Sequence, residues 1–138
     1  MKRPVEIVQD IIAASDFPHD EIFLDSIPKE KEHSINETQV LLTESDNGPN
    51  DYGNSDFISL MYGVYIQIFY SNAEDSGINI VQSEINLMKS FINNDWLIAQ
   101  SKSHYIDPDT GQIIKNVTVQ RIMTLSEIAI SLLVFYLS

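Results

Sequence analysis

The residue types that carry most enzyme chemistry are sparse in this chain and poorly spaced for it. Cysteine is absent, so no disulfide, thiolate metal site or cysteine nucleophile is available. The three histidines, His19, His33 and His104, have no partner three or four residues away that would place two ligands on one helix face. Asp107, Asp109 and Gly111 resemble a fragment of a calcium loop. An EF-hand, however, needs glycine at its sixth position and a bidentate glutamate at its twelfth, and Gln112 and Thr118 stand there. An ordinary hairpin turn explains those residues better. The carboxylates between Asp46 and Asp56 have nothing in the sequence that fixes their geometry around a cation. No GxxxxGK[ST] phosphate cradle and no GxSxG elbow occur. The expectation is a non-enzymatic chain with no cofactor and no metal.

Charge is the one extreme of composition. Eight basic residues against twenty acidic ones give a formal charge of −12. Phosphate contacts come from Lys and Arg, so wrapping around nucleic acid is disfavoured. Two readings stay open, a solvated surface that maintains solubility or a surface that repels or imitates DNA. A length of 138 residues suits a single domain, and 43% hydrophobic residues can supply its core. Met1-Lys2-Arg3-Pro4 hints at a leader, but Glu6 and Asp10 fall where an uncharged apolar stretch would have to run. No run reaches the roughly 18 apolar residues that span a bilayer. A soluble intracellular protein is expected.

Periodicity sets the elements. Val5, Val8, Ile11 and Ile12 predict a helix over 5–14 that Asp16-Phe17-Pro18 ends. Strands are expected over 21–27 and 38–43. Residues 44–56 are almost wholly turn formers and read as a long loop. Residues 60–70 predict a strand with apolar residues on both faces, and hence a central strand covered on both sides. Val81, Ile85, Met88 and Phe91, with Leu87 and Ile92 alongside, predict an amphipathic helix over 80–92. A long hairpin follows, 96–105 returning over 112–123 through the Asp107–Gly111 turn, with Ile113, Val117, Val119 and Met123 toward the core. The apolar stretch 125–137 either completes the core or is covered by a neighbouring subunit. The expected fold is α+β, in the order α-β-β-β-α-β-β, with a mixed and mostly antiparallel sheet flanked by helices. Tyrosines of the 60–70 strand serve either the core or an interface.

One resemblance adds to this reading. The run Tyr62-Gly63-Val64-Tyr65-Ile66-Gln67-Ile68-Phe69-Tyr70 is followed by a helix through Met88-Lys89-Ser90-Phe91, then Trp96-Leu97-Ile98-Ala99, then His104 to Gln112. That pattern resembles tail-terminator and minor tail-component proteins of long-tailed, siphovirus-type phages of Gram-positive bacteria, over residues 1–123. The resemblance implies a virion protein at the head-proximal end of the tail, assembled in the host cytoplasm. It would form a ring, typically a hexamer, that caps the tube, stops its polymerisation and offers the surface for head attachment. The implied partners are further copies of itself, the major tail tube protein and a head-tail connector protein. DNA would pass through the lumen without stable binding, and no membrane is involved. Contacts with the tube or connector would fall on Asp46, Asp51, Tyr52 and Asp56 and on the turn carrying Asp107 and Asp109. Lys102, Lys115 and Arg121 would bridge to acidic neighbours in the ring. A head-closure or neck protein of the same particle is the near alternative. A monomeric acidic DNA mimic is the alternative of a different class.

Overall fold

A computed structural model of the chain describes residues 2–49, 52–53, 56–57, 59–73 and 77–124. The apolar stretch 125–137 and Asp51 lie outside the described residues. Helix α1 spans Pro4–Ala14, with proline in its first turn, where the missing N–H costs nothing. The Arg3 backbone N–H donates to Glu6 Oε1 at 3.2 Å, which closes the N-terminus. Val5, Val8 and Ile12 are fully buried and form the inward stripe. At the far end the Ser15 N–H reaches the Ile11 and Ile12 carbonyls.

Strands β1 (Glu21–Leu24), β2 (Gln39–Pro49), β5 (Ser59–Phe69), β8 (Ile113–Thr124) and β6 (Leu97–Ser101) lie side by side in the order β1-β2-β5-β8-β6. Strand β7 (Tyr105–Ile106) extends the β6 edge along β8. Among the described residues only β1 with β2 is parallel, and every other pair in this sheet is antiparallel. The fold is therefore α+β with a mixed, mostly antiparallel sheet and a C-terminal hairpin. At its centre β5 pairs with β8 from Ser59↔Thr124 to Phe69↔Ile114.

The described part of 44–56 differs from the loop expected there. Strand β2 continues through Pro49, opposite Leu60 of β5. Beyond it β3 (Tyr52–Gly53) and β4 (Asp56–Phe57) pair at the hairpin end. The turn-forming types Asn47, Gly48 and Pro49 are compatible with this because that part of β2 lies on the sheet edge. Proline loses no ladder bond there. A bulge between Glu44 and Asp46 seats Ser45 over Gly63, where a Cβ would stand 2.4 Å from Ser45 Oγ.

Helix α2 (Ile80–Asn93) corrects a second expectation. Asn79 caps it, its side chain accepting from the Gln82 N–H at 3.1 Å. The residues it buries are Glu84, Leu87 and Phe91. Val81, Ile85 and Ile92, expected inward, are 65%, 39% and 56% exposed. The helix is turned by roughly 100°, one residue step, from the face its apolar stripe would choose. Glu84 can face inward because it finds hydrogen-bond donors there.

Both helices pack on the same side of the sheet. The core joins Val5, Val8 and Ile12 of α1 and Leu87 and Phe91 of α2 to Val40, Leu42, Val64, Ile66, Ile68, Val117 and Val119. The two-sided cover expected for β5 is thus absent within the described residues. Phe23, Leu41, Met61, Tyr65 and Phe69 alternate with core residues along their strands, are half-buried, and lie outside the core cluster.

Candidate functional site

The sequence-predicted contact residues do not converge. Asp46 is exposed on the open face of the sheet, where its Oδ2 accepts from Gln120 Nε2 at 3.3 Å. The backbones of Tyr52 and Asp56 belong to the paired end of the β2–β5 hairpin. Asp107 and Asp109 form the β7–β8 turn. There Asp107 Oδ1 accepts from the Asp109 N–H at 2.9 Å, and Gly111, at φ 76°, closes the turn by donating to the Asp107 carbonyl at 2.8 Å. Lys102 is exposed between β6 and β7. Lys115, read as a bridging cation, is instead buried at 7% exposure, its Nζ donating to the Lys102 carbonyl. It therefore ties the chain between the two short strands to β8. Arg121 lies on the helix side, with Lys2, Asp10, Ser15, Asn94 and Trp96 around a 430 Å³ cavity between α1 and α2.

A group of titratable side chains that sequence reasoning missed sits under α2. The Tyr70 hydroxyl donates to Glu84 Oε2 at 2.6 Å, and His104 Nε2 lies 2.7 Å from the same oxygen. Tyr70 and Glu84 are 3% and 7% exposed. Burial, and then the hydrogen bond and charge of Glu84, push the Tyr70 hydroxyl far above its ordinary pKa. The cavity beside Glu84 is about 10 Å³, too small for a substrate. The trio is therefore a tie between the end of β5, α2 and the β6–β7 connection. A glutamate at the centre of an apolar helix stripe was its only trace in the sequence. Among the described residues no three His, Asp or Glu side chains gather as a metal set. No described helix is long and apolar enough to cross a membrane.

Charge and exposed apolar surface are divided between the two flanks of the sheet. Residues 2–49, which build α1, β1 and β2, carry eleven acidic and four basic residues. Three of those four cations are engaged locally. Arg3 is bidentate on Asp25, at 2.9 Å to each oxygen, and reaches Glu44 at 3.4 Å. Lys31 pairs with Glu21 at 2.9 Å, and Lys2 pairs with Asp10. The Arg3 hydrogen bonds hold the Asp25 carboxyl below its usual value. Residues 77–124, which build α2, β6, β7 and β8, carry four acidic and four basic residues. Among the described residues, all the large exposed hydrophobics lie in this neutral half: Val81, Ile85, Ile92, Leu97, Tyr105, Ile106, Ile113 and Ile122.

No curated protein matches the chain. Residues 2–124 match the family model described as Protein of unknown function (DUF806), and the chain belongs to that family.

Proposed function

We propose that this chain is a structural virion component of the tail-terminator type, which closes as a ring on the tail tube, stops its polymerisation and presents the surface for head attachment. The proposal joins the resemblance in residues 62–121 to one structural observation, the division between an acidic flank and a neutral, apolar one. Copies of a chain with charge −12 meet with least repulsion through surface that carries no net charge. The α2–β6–β7–β8 half supplies that surface. The α1–β1–β2 half carries the unbalanced carboxylates, and a lumen lined by them would repel DNA phosphates so that the genome slides rather than sticks. The β7–β8 turn around Asp107 and Asp109 and the end of the β2–β5 hairpin are assigned to contacts with tube and connector proteins. A head-closure role in the same particle uses the same ring and differs only in what it caps.

The test is tube capping. Purified chain is added to preassembled tail tubes and to polymerising tube subunits, and both are imaged by negative stain. Density at tube ends and arrested elongation are expected; free ends and unaffected elongation refute the proposal. Replacing exposed carboxylates of the acidic flank, such as Asp20, Glu30 and Glu32, by their amides is expected to slow DNA ejection from assembled particles. Unchanged ejection would refute the role given to the charge.

A further inference from the structure

Among the described residues two apolar surfaces have no partner, and they lie on opposite sides of the sheet. The first is the outer stripe of α2. At 100° per residue, Val81, Ile85, Met88 and Ile92 fall within roughly 60° of one another on the helix circumference. None of them belongs to the core cluster. The second is the open face of the sheet, with Met61, Tyr65 and Phe69 of β5, Ile122 of β8 and Leu97 of β6. Leu97 stands opposite Gln120, so it shares that face with Ile122, and the two are 67% and 50% exposed.

We infer that these surfaces are the two halves of one contact between copies of this chain: the outer stripe of α2 packs on the open sheet face of the next copy. The inference rests on the proposed self-association and names the surfaces that carry it. Three observations support a second copy as the occupant. Strand β5 has apolar residues on both faces, the pattern of a strand in a sheet with helices on both sides, and among the described residues the helices lie on one side only. A neighbour's α2 would provide the missing layer. Helix α2 also bears no acidic residue except the buried Glu84, so its outward surface carries only the charge of exposed Lys89. It is therefore a surface that another acidic copy can approach. On the open sheet face Asp46 is exposed and acidic, a complement to Lys89. Because the halves lie on opposite sides of each copy, the contact is head-to-tail. Repeated, it closes into a ring or runs on as a filament.

The experiment measures the mass of the full chain by light scattering over a concentration series. It compares wild type with a helix variant, Ile85→Glu with Ile92→Glu, and a sheet variant, Leu97→Glu with Ile122→Glu. These are exposed positions, and circular dichroism checks that each variant is folded. Wild type is expected to associate, and each variant to do so at least about tenfold more weakly. Mixing the two variants is the decisive arm. The helix variant retains an intact sheet face and the sheet variant an intact α2, so a head-to-tail contact gives a one-to-one dimer that grows no further. Variants that assemble like wild type, a mixture that stays monomeric, or a wild type that is monomeric at every concentration would each overturn the inference. Capping of tube ends by such a wild type would still leave the terminator role standing, so the two proposals fail separately.

Discussion

Removing the Tyr70 hydroxyl tests whether the buried Glu84 is a structural tie. Tyr70→Phe keeps the ring, so no cavity forms and the change isolates one hydrogen bond. That bond is 2.6 Å long and ends on a carboxylate 7% exposed, leaving His104 Nε2 as the remaining donor at 2.7 Å. A hydrogen bond to a buried charged group contributes about 1.5–3 kcal/mol. For a chain of this size that is a fall in melting temperature of about 6–12 °C. The assay is urea unfolding followed by the emission of Trp96, the only tryptophan and fully buried. The midpoint is expected to fall by about 1 M at constant slope. A second arm uses Glu84→Leu, which faces Ile66, Ile68, Leu87 and Phe91. With the carboxylate gone, Tyr70→Phe leaves nothing unsatisfied, so the double variant is expected to be at least about 1 kcal/mol better than additive. A Tyr70→Phe cost below about 0.5 kcal/mol, or strict additivity, would refute the tie.

Three further outcomes follow from the same packing. Gly63→Ala places a Cβ against Ser45 Oγ and 3.1 Å from the Asp46 backbone nitrogen, and is expected to cost about 1–3 kcal/mol in urea unfolding. Adding Ser45→Gly should recover part of that loss. Tyr70 has a folded pKa raised above 10.0, so the unfolded chain releases its proton first and stability falls as pH rises past about 10. The Tyr70→Phe variant should show a shallower alkaline decline, by up to about 1.4 kcal/mol per pH unit. Asp25 has a folded pKa lowered below 3.8, so its contribution is present above that value and is lost as pH falls through the folded one. Asn tolerates the left-handed backbone at φ 71°, so Asp25→Asn should flatten the acid limb of the stability profile without loss of the fold.

The strands most legible in the sequence were those whose apolar pattern agrees with their packing. Val64, Ile66 and Ile68 alternate and are buried, and Val117 and Val119 face them across the β5–β8 ladder. Legibility failed where tertiary structure overrode a local preference. The turn formers Asn47-Gly48-Pro49 became strand because Met61 and Leu60 lay opposite to pair with them. Helix α2 turned its apolar stripe outward because Tyr70 and His104 gave Glu84 a place inside, and periodicity has no means of weighing two donors brought from 14 and 20 residues away. Lys115 shared parity with core residues and was buried like them, its charge met by a backbone carbonyl. Asp46, Lys102 and Asp107, read as contacts through the resemblance, are ordinary surface types whose chemistry alone does not single them out.

The expectation for β5 is met on one face within the described residues. A strand whose two faces are both apolar is a statement about two layers of cover, and a sequence does not say which molecule supplies each layer. Among the described residues α1 and α2 cover one face, and Met61, Tyr65 and Phe69 lie half-buried on the other. The same helix that closes the first face carries a second apolar stripe, without an acidic side chain, on its outer surface. In a chain of charge −12 such a stripe is the surface on which repulsion between copies is weakest.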